Sequence, residues 1–284
     1  MATGPQRARA TFWLLEAPDS LAQQSRAEPD GTGLGWFDEQ GSPCVDKAAI
    51  AAYRDEQFGR DAREVVSDRF VAHVRFASRG KLRLENTHPF EQRGRLLAHN
   101  GDVQGLDRLD EQLGDYRALV KGETDSERFF ALVTKEIDEH HGNVGEGLAA
   151  AAGWVARELP LFALNVILAA ESGLWALRYP DTHDLFMLER DAGGPSGDRH
   201  LDHASRAGRI RVRSGDLSAA PGVVLATERM DEDTGWRNLA PGELVHVDAE
   251  LRVHARVALP DPPAHRLTLA DLDARAAASQ APAG

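Results

Sequence analysis

Two helical stretches set between short β-patterned runs constrain this chain more than any other feature. The first, 124–140, opens with Thr124-Asp125-Ser126-Glu127, where Thr124 and Glu127 have capping-box spacing. Phe129, Leu132, Val133 and Ile137 give it one apolar face. The second, 144–159, is rich in alanine and is stopped by Pro160. Ahead of them, 33–37 and 43–46 pattern as a hairpin around Gln40-Gly41. The stretch 69–77 alternates apolar and polar residues in its later half. The run 95–98 reads as a strand that ends in His99-Asn100-Gly101, a strong turn signal. Behind the helices come further short runs at 162–169, 173–178, 184–188, 210–213, 223–227, 243–247 and 251–257. The segment 11–26 is expected to be helical, with a break and restart at Pro18. Helices enclosed by antiparallel strands favour an α+β layered fold over a doubly wound parallel sheet.

The bulk composition narrows the partners. A formal net charge of -12 over 284 residues repels nucleic-acid phosphates and anionic lipid, so neither is an expected partner. The one cysteine, Cys44, cannot form an internal disulfide, and Cys-rich zinc sites are excluded. Its plain reading is a small apolar filler. The single thiol, and an N-terminus that does not pattern as a signal peptide, fit a cytoplasmic protein. The longest apolar stretch, 159–170, is interrupted by Asn165 and is too short to cross a bilayer, which takes roughly 20 residues. The stretch 191–208 reads as a long loop. His200, Asp202 and His203 within it resemble a metal cluster by composition only, and neither a metal nor any other cofactor is expected. One domain is expected over 1–260, and 261–284 reads as a C-terminal tail, partly disordered or a frayed helix.

Three segments carry candidate chemistry. They are His73-Val74-Arg75-Phe76-Ala77-Ser78, then Asn86-Thr87-His88-Pro89-Phe90 with Leu97-Ala98-His99-Asn100-Gly101, and then Thr124-Asp125-Ser126-Glu127. An arginine at a strand end can grip a carboxylate through two parallel hydrogen bonds. An aspartate at a helix start can hold an ammonium group, although capping is its ordinary work there. An asparagine amide beside a glycine N–H offers two donors, as an oxyanion requires. Taken singly, Arg75 is a strand residue paired with some carboxylate, Asp125 a cap, Asn100-Gly101 a turn and His88 a loop histidine. Taken together they suit a free α-amino acid whose side-chain acyl group is attacked.

In this order and at these spacings, the HVRFAS, NTHPF, HNG and TDSE segments resemble the glutaminase domain of class II glutamine amidotransferases, which are N-terminal-nucleophile hydrolases. The resemblance covers roughly 11–257. Asp30-Gly31-Thr32-Gly33-Leu34-Gly35-Trp36 is similar to that domain's Gly-rich strand, and 236–247 to its late strands. It implies a four-layer αββα sandwich of two antiparallel sheets between helical layers. It further implies that Arg75 binds the glutamine α-carboxylate, Asp125 its α-ammonium, Asn100 and Gly101 the oxyanion, and that His88 shapes the site. The implied activity is hydrolysis of glutamine to glutamate and ammonia through a γ-glutamyl thioester, with the ammonia passed to a separate synthetase subunit.

The family's nucleophile is a cysteine at the mature N-terminus, with its own α-amine as base. Here the chain opens Met1-Ala2-Thr3. A start that omits residues of the full protein is expected rather than a genuine loss, because the downstream substrate set is intact. The 284-residue chain is therefore expected to have little or no glutaminase activity. The alternatives are a stand-alone γ-glutamyl amide hydrolase and a non-catalytic glutamine-binding module.

Overall fold

The computed structural model describes residues 1–77, 80–192, 201–204, 211–214 and 220–280. The expected helix at the N-terminus is split, as Pro18 requires, into a π-turn (Phe12–Glu16) and α1 (Leu21–Gln24). Then come β1 (Gly31–Phe37), β2 (Pro43–Ala48), α2 (Glu56–Glu64) and β3 (Phe70–Arg75). The three strands pair antiparallel in the order β2-β1-β3. β1 is rich in glycine for a steric reason: a Cβ on Gly33 would lie 2.0 Å from the His88 carbonyl oxygen.

The middle of the chain supplies β4 (Phe90–Gln92), β5 (Arg95–Val103), α3 (Leu106–Leu113), α4 (Asp125–Glu139) and α5 (Val144–Glu158). Next are β6 (Pro160–Ala170), β7 (Gly173–Leu177) and β8 (Phe186–Arg190). β9 (Leu201–Ala204) and β10 (Arg211–Ser214) pair with each other. β9 falls inside the stretch expected to be loop, because β10 gives its backbone a partner; His200 lies outside the described residues. The chain continues with β11 (Gly222–Ala226), β12 (Arg237–Asn238), β13 (Glu243–Val247), β14 (Val253–Val257), β15 (His265–Arg266) and α6 (Ala274–Gln280). Residues 261–284, expected as a tail, thus carry β15 and α6, and 281–284 lie outside the described residues.

Alternation along the strands builds the layers. The large sheet runs β14-β13-β7-β6-β5-β4, with β15 parallel to β6. Leu97, Leu168, Trp175 and Leu177 point to the side where α4 and α5 pack, joining Phe129, Leu132, Ile137 and Leu148 in one core. Leu96, Ala98, Leu174, Ala176 and Val245 point to the other side. There they meet Phe37 and Val71 of the first sheet and Met187, Val223 and Leu225 of a third sheet, β11-β8-β12. The outer faces of these smaller sheets are covered by the N-terminal helical segment and α2: Trp13 packs on Leu188 and Val224, and Leu14, Phe58 and Ala62 on Leu34 and Phe70. The result is helices, sheet, sheet, helices: the αββα sandwich. Full burial of each large side chain contributes about 1.5–3 kcal/mol.

Asn100-Gly101 is not a turn. β5 runs through it, Asn100 opposite Asn165 and Gly101 opposite Leu164. Pairing along the whole of β6 outweighs the local preference of an Asn-Gly step.

Candidate functional site

A cavity of about 1240 Å³ opens between the two sheet layers, and Arg75, His88, Asn100, Gly101 and Asp125 all line it. Arg75 comes from the last position of β3, Asn100 and Gly101 from the middle of β5, and Asp125 from the first turn of α4. His88 comes from the connection leading into β4. Residues separated by up to fifty positions in sequence therefore face one space.

Asp125 is available because its neighbour caps the helix. The Thr124 hydroxyl accepts from Glu127 N at 3.3 Å. Only half of the expected capping box forms, since the Glu127 carboxylate accepts instead from Lys121 N and Gly122 N at 3.0 and 2.6 Å. Asp125 Oδ2 accepts from Val103 N at 2.9 Å, which ties α4 to the end of β5. The adjacent Ser126 hydroxyl lies 3.0 Å from His99 Nδ1.

Arg75 is buried. Burial lowers its pKa, Asp30 and Asp125 oppose that, and Arg275 adds to it. A guanidinium stays charged under such pressure. Asp30 is a residue that motif reading did not single out for this site. Its Oδ2 accepts from Ala77 N at 2.9 Å and stands 3.6 Å from an Arg275 nitrogen. Its position next to the Gly-rich strand was the only available signal.

Gly101 occupies a place where no side chain fits. A Cβ there would be 1.9 Å from the Ala163 carbonyl oxygen and 2.7 Å from His99 Nε2. His99 itself bridges Ser126 and the Ala163 carbonyl, a structural role.

His73, half-buried, and His88, buried, form a pair with ring centroids 4.2 Å apart, and Phe90 meets His88 edge-on at 4.6 Å. Desolvation, with the charge of Arg75 nearby, pulls His73 down to about 3 and His88 well below its ordinary value. Both rings are neutral at physiological pH. Neither His88 ring nitrogen has a hydrogen-bond partner among the described residues.

The cavity continues as a groove between β3 and β11, with Phe70 to Arg75 on one side and Val224 to Ala226 on the other. One residue closes the near end of the groove: Ala2 is bridged antiparallel to both Arg69 and Val223. Ala2 N donates to Val223 O, and Val223 N to Ala2 O, both at 2.8 Å. The Met1 amine is buried, donates to Phe70 O at 2.9 Å, and is pulled down to about 5 by desolvation. Cys44 lies on β2 opposite Trp36, away from the cavity lining, with its thiol pushed up by burial and by Asp38. Among the described residues no group of three or more His, Cys, Asp or Glu side chains could hold a metal ion, and no helix is long and apolar enough to cross a membrane.

A guanidinium, a carboxylate and a backbone glycine facing one cavity can hold both ends of an α-amino acid while its side-chain carbonyl meets N–H donors. The chain is similar to several known proteins. The Escherichia coli protein YafJ, named as a glutamine amidotransferase, is 26% identical over 236 residues, covering 75% of this chain and 83% of its own length. The Saccharomyces cerevisiae protein DUG3, also so named, is 29% identical over 134 residues, covering 43% of this chain and 38% of its own. A glutamine aminotransferase class-II domain protein from Silicibacter pomeroyi superposes with a TM-score of 0.56 at 23% identity, over 81% of this chain and 92% of that one. The glutamine phosphoribosylpyrophosphate amidotransferase of B. subtilis superposes at 0.56 and 15% identity, over 85% of this chain and 46% of that one. Because the family model for class-II glutamine amidotransferases matches residues 18–266, most of the sequence and all of the elements that carry Arg75, His88, Asn100, Gly101 and Asp125, this chain belongs to the class-II glutamine amidotransferases.

Proposed function

We propose that the cavity binds glutamine, with Arg75 on the α-carboxylate, Asp125 on the α-ammonium, and Asn100 and Gly101 as donors to the amide oxygen. His88 supplies a neutral, polar wall. The observation that carries this reading is the convergence of Arg75, Asp125, Asn100 and Gly101 on one cavity. Burial of the substrate's two charges is costly unless each meets an opposite charge, and Arg75 with Asp125 meets both.

Hydrolysis needs a nucleophile, and the groove between β3 and β11 has room for a strand that would carry one. Met1 lies opposite Phe70, exchanging both backbone hydrogen bonds with it. A strand continuing upstream in this register advances one residue along β3 per residue, so the fifth residue before Met1 falls opposite Arg75. A cysteine at the head of such a strand would put its thiol beside the bound amide. Its sulfur attacks the carbonyl carbon, the oxyanion is held by the Asn100 and Gly101 donors, and ammonia leaves with a γ-glutamyl thioester behind it. Water then releases glutamate. The ammonia would pass to a separate acceptor subunit.

The test compares ammonia release from glutamine by the 284-residue chain and by the same chain extended with a Cys-headed five-residue strand. The extended chain is expected to turn over and the 284-residue chain to show little or no activity. Turnover by the unextended chain within about tenfold of the extended one, or equal activity when serine replaces that cysteine, contradicts the reading.

A further inference from the structure

The C-terminal helix α6 ends inside the cavity described above. Gln280, its last residue, is 6% exposed, although it stands at the end of a seven-residue helix. Its carboxamide is held at both ends. Oε1 can only accept, and it lies 2.8 Å from His183 Nε2, so that nitrogen carries the proton. Nε2 donates to the Gly101 carbonyl at 3.4 Å. The helix also brings Arg275 to 3.6 Å from Asp30, the carboxylate that faces Arg75. One short helix thus reaches both ends of the proposed amino-acid site.

The apolar packing of the helix among the described residues is small. Leu272 and Ala276 pack with Phe162 and Ala163 in a small cluster apart from the main cores. On its Arg275 side the ion pair with Asp30 is open to solvent, where such pairs hold weakly. By contrast, the segment just before the helix is well anchored. β15 pairs with β6, and Thr268 and Asp271 form a reciprocal capping box around the turn Leu269–Asp271. A firm anchor followed by a lightly held helix is the arrangement of a segment that can detach without disturbing the fold.

We propose that α6 is an internal competitor of the amino-acid ligand, in which the Gln280 carboxamide, its nitrogen on the Gly101 carbonyl, fills the space beside Gly101 that a glutamine side-chain amide would enter. This rests on the amino-acid reading of the cavity. With α6 docked, Gly101 and the space beside it are taken by the chain's own amide. With α6 released, that space is open to the ligand. The competent fraction of molecules then sets the apparent affinity, which improves as docking weakens.

Calorimetric titration with L-glutamine tests this on three proteins: the full chain, Gln280→Ala, and a chain shortened to end at Asp271. Gln280→Ala preserves the helix, so its result does not depend on the shortened chain folding. Both altered proteins are expected to bind with Kd lowered by about fivefold or more. Hydrogen exchange of the full chain is expected to quicken across 274–280 when glutamine saturates it. Unchanged or weaker binding by both altered proteins, with Arg75→Ala still abolishing it, overturns the competitor and leaves the amino-acid pocket standing. Weaker binding by both with slowed exchange would make α6 a lid over the ligand instead. Absence of glutamine binding in all three proteins overturns both readings.

Discussion

The Asp125 carboxylate accepts the backbone N–H of Val103 at 2.9 Å, joining the start of α4 to the end of β5. The bond gives Asp125 two separable duties, one structural and one electrostatic. Asp125→Ala removes the acceptor and strands a buried N–H, so it is expected to lower stability by about 1–3 kcal/mol in denaturant titration. Asp125→Asn keeps an acceptor for Val103 but loses the charge. Its denaturation midpoint should stay near that of the parent while glutamine affinity falls by about tenfold or more, by analogy with loss of a charge-assisted bond.

Gly101 tests the packing of the site independently of charge. With the Ala163 carbonyl 1.9 Å from any Cβ, Gly101→Ala must push β5 away from β6. Overpacking of this kind costs about 1–3 kcal/mol, and more when the obstacle is backbone. The urea midpoint should drop, and glutamine binding should weaken even though Arg75 and Asp125 are untouched. An unchanged midpoint would mean that the β5–β6 pairing at Gly101 is looser than described.

The His73–His88 pair predicts acid sensitivity. His73 and His88 have folded-state pKa values below the unfolded value of 6.5, His73 at about 3. In the window from 6.5 down toward 3 the unfolded chain binds more protons than the folded one. The stability associated with these rings is therefore fully present above about pH 6.5 and is lost as pH falls below it. The Met1 amine acts in the same sense between its ordinary 8.0 and about 5. Denaturant midpoints measured across this range should decline toward acid. His88→Phe, which keeps an aromatic ring between His73 and Phe90, should flatten part of that decline; an equally steep acid limb would remove His88 from the explanation.

Much of this site was readable in the sequence, for reasons that differ by element. α4 announces itself through Thr124, Glu127 and one apolar face, and those signals are local. α2 does not, because it buries only Phe58 and Ala62 among charged residues; the Asp55 cap, which accepts from Gln57 N and Phe58 N, was the one available sign. Asn100-Gly101 misled as a turn because the deciding partners, Asn165 and Leu164, lie more than sixty positions away. The glycine is there for close approach to Ala163 rather than for a bend. The entry of α6 into the cavity could not be read from its alanine-rich sequence. It depends on contacts of Leu272 and Ala276 with Phe162 and Ala163, and of Gln280 with His183. The groove between β3 and β11 is likewise a property of two sheets, legible only once both are placed.

Every other role proposed for the cavity depends on Arg75 receiving the α-carboxylate of an amino acid. Calorimetry of L-glutamine with the parent chain and with Arg75→Ala measures it directly, supported by circular dichroism to show that both fold. Saturable one-to-one binding by the parent, abolished in Arg75→Ala at unchanged fold, is the predicted result. Equal affinity of the two proteins would contradict the account, because a buried carboxylate cannot lose its guanidinium at no cost.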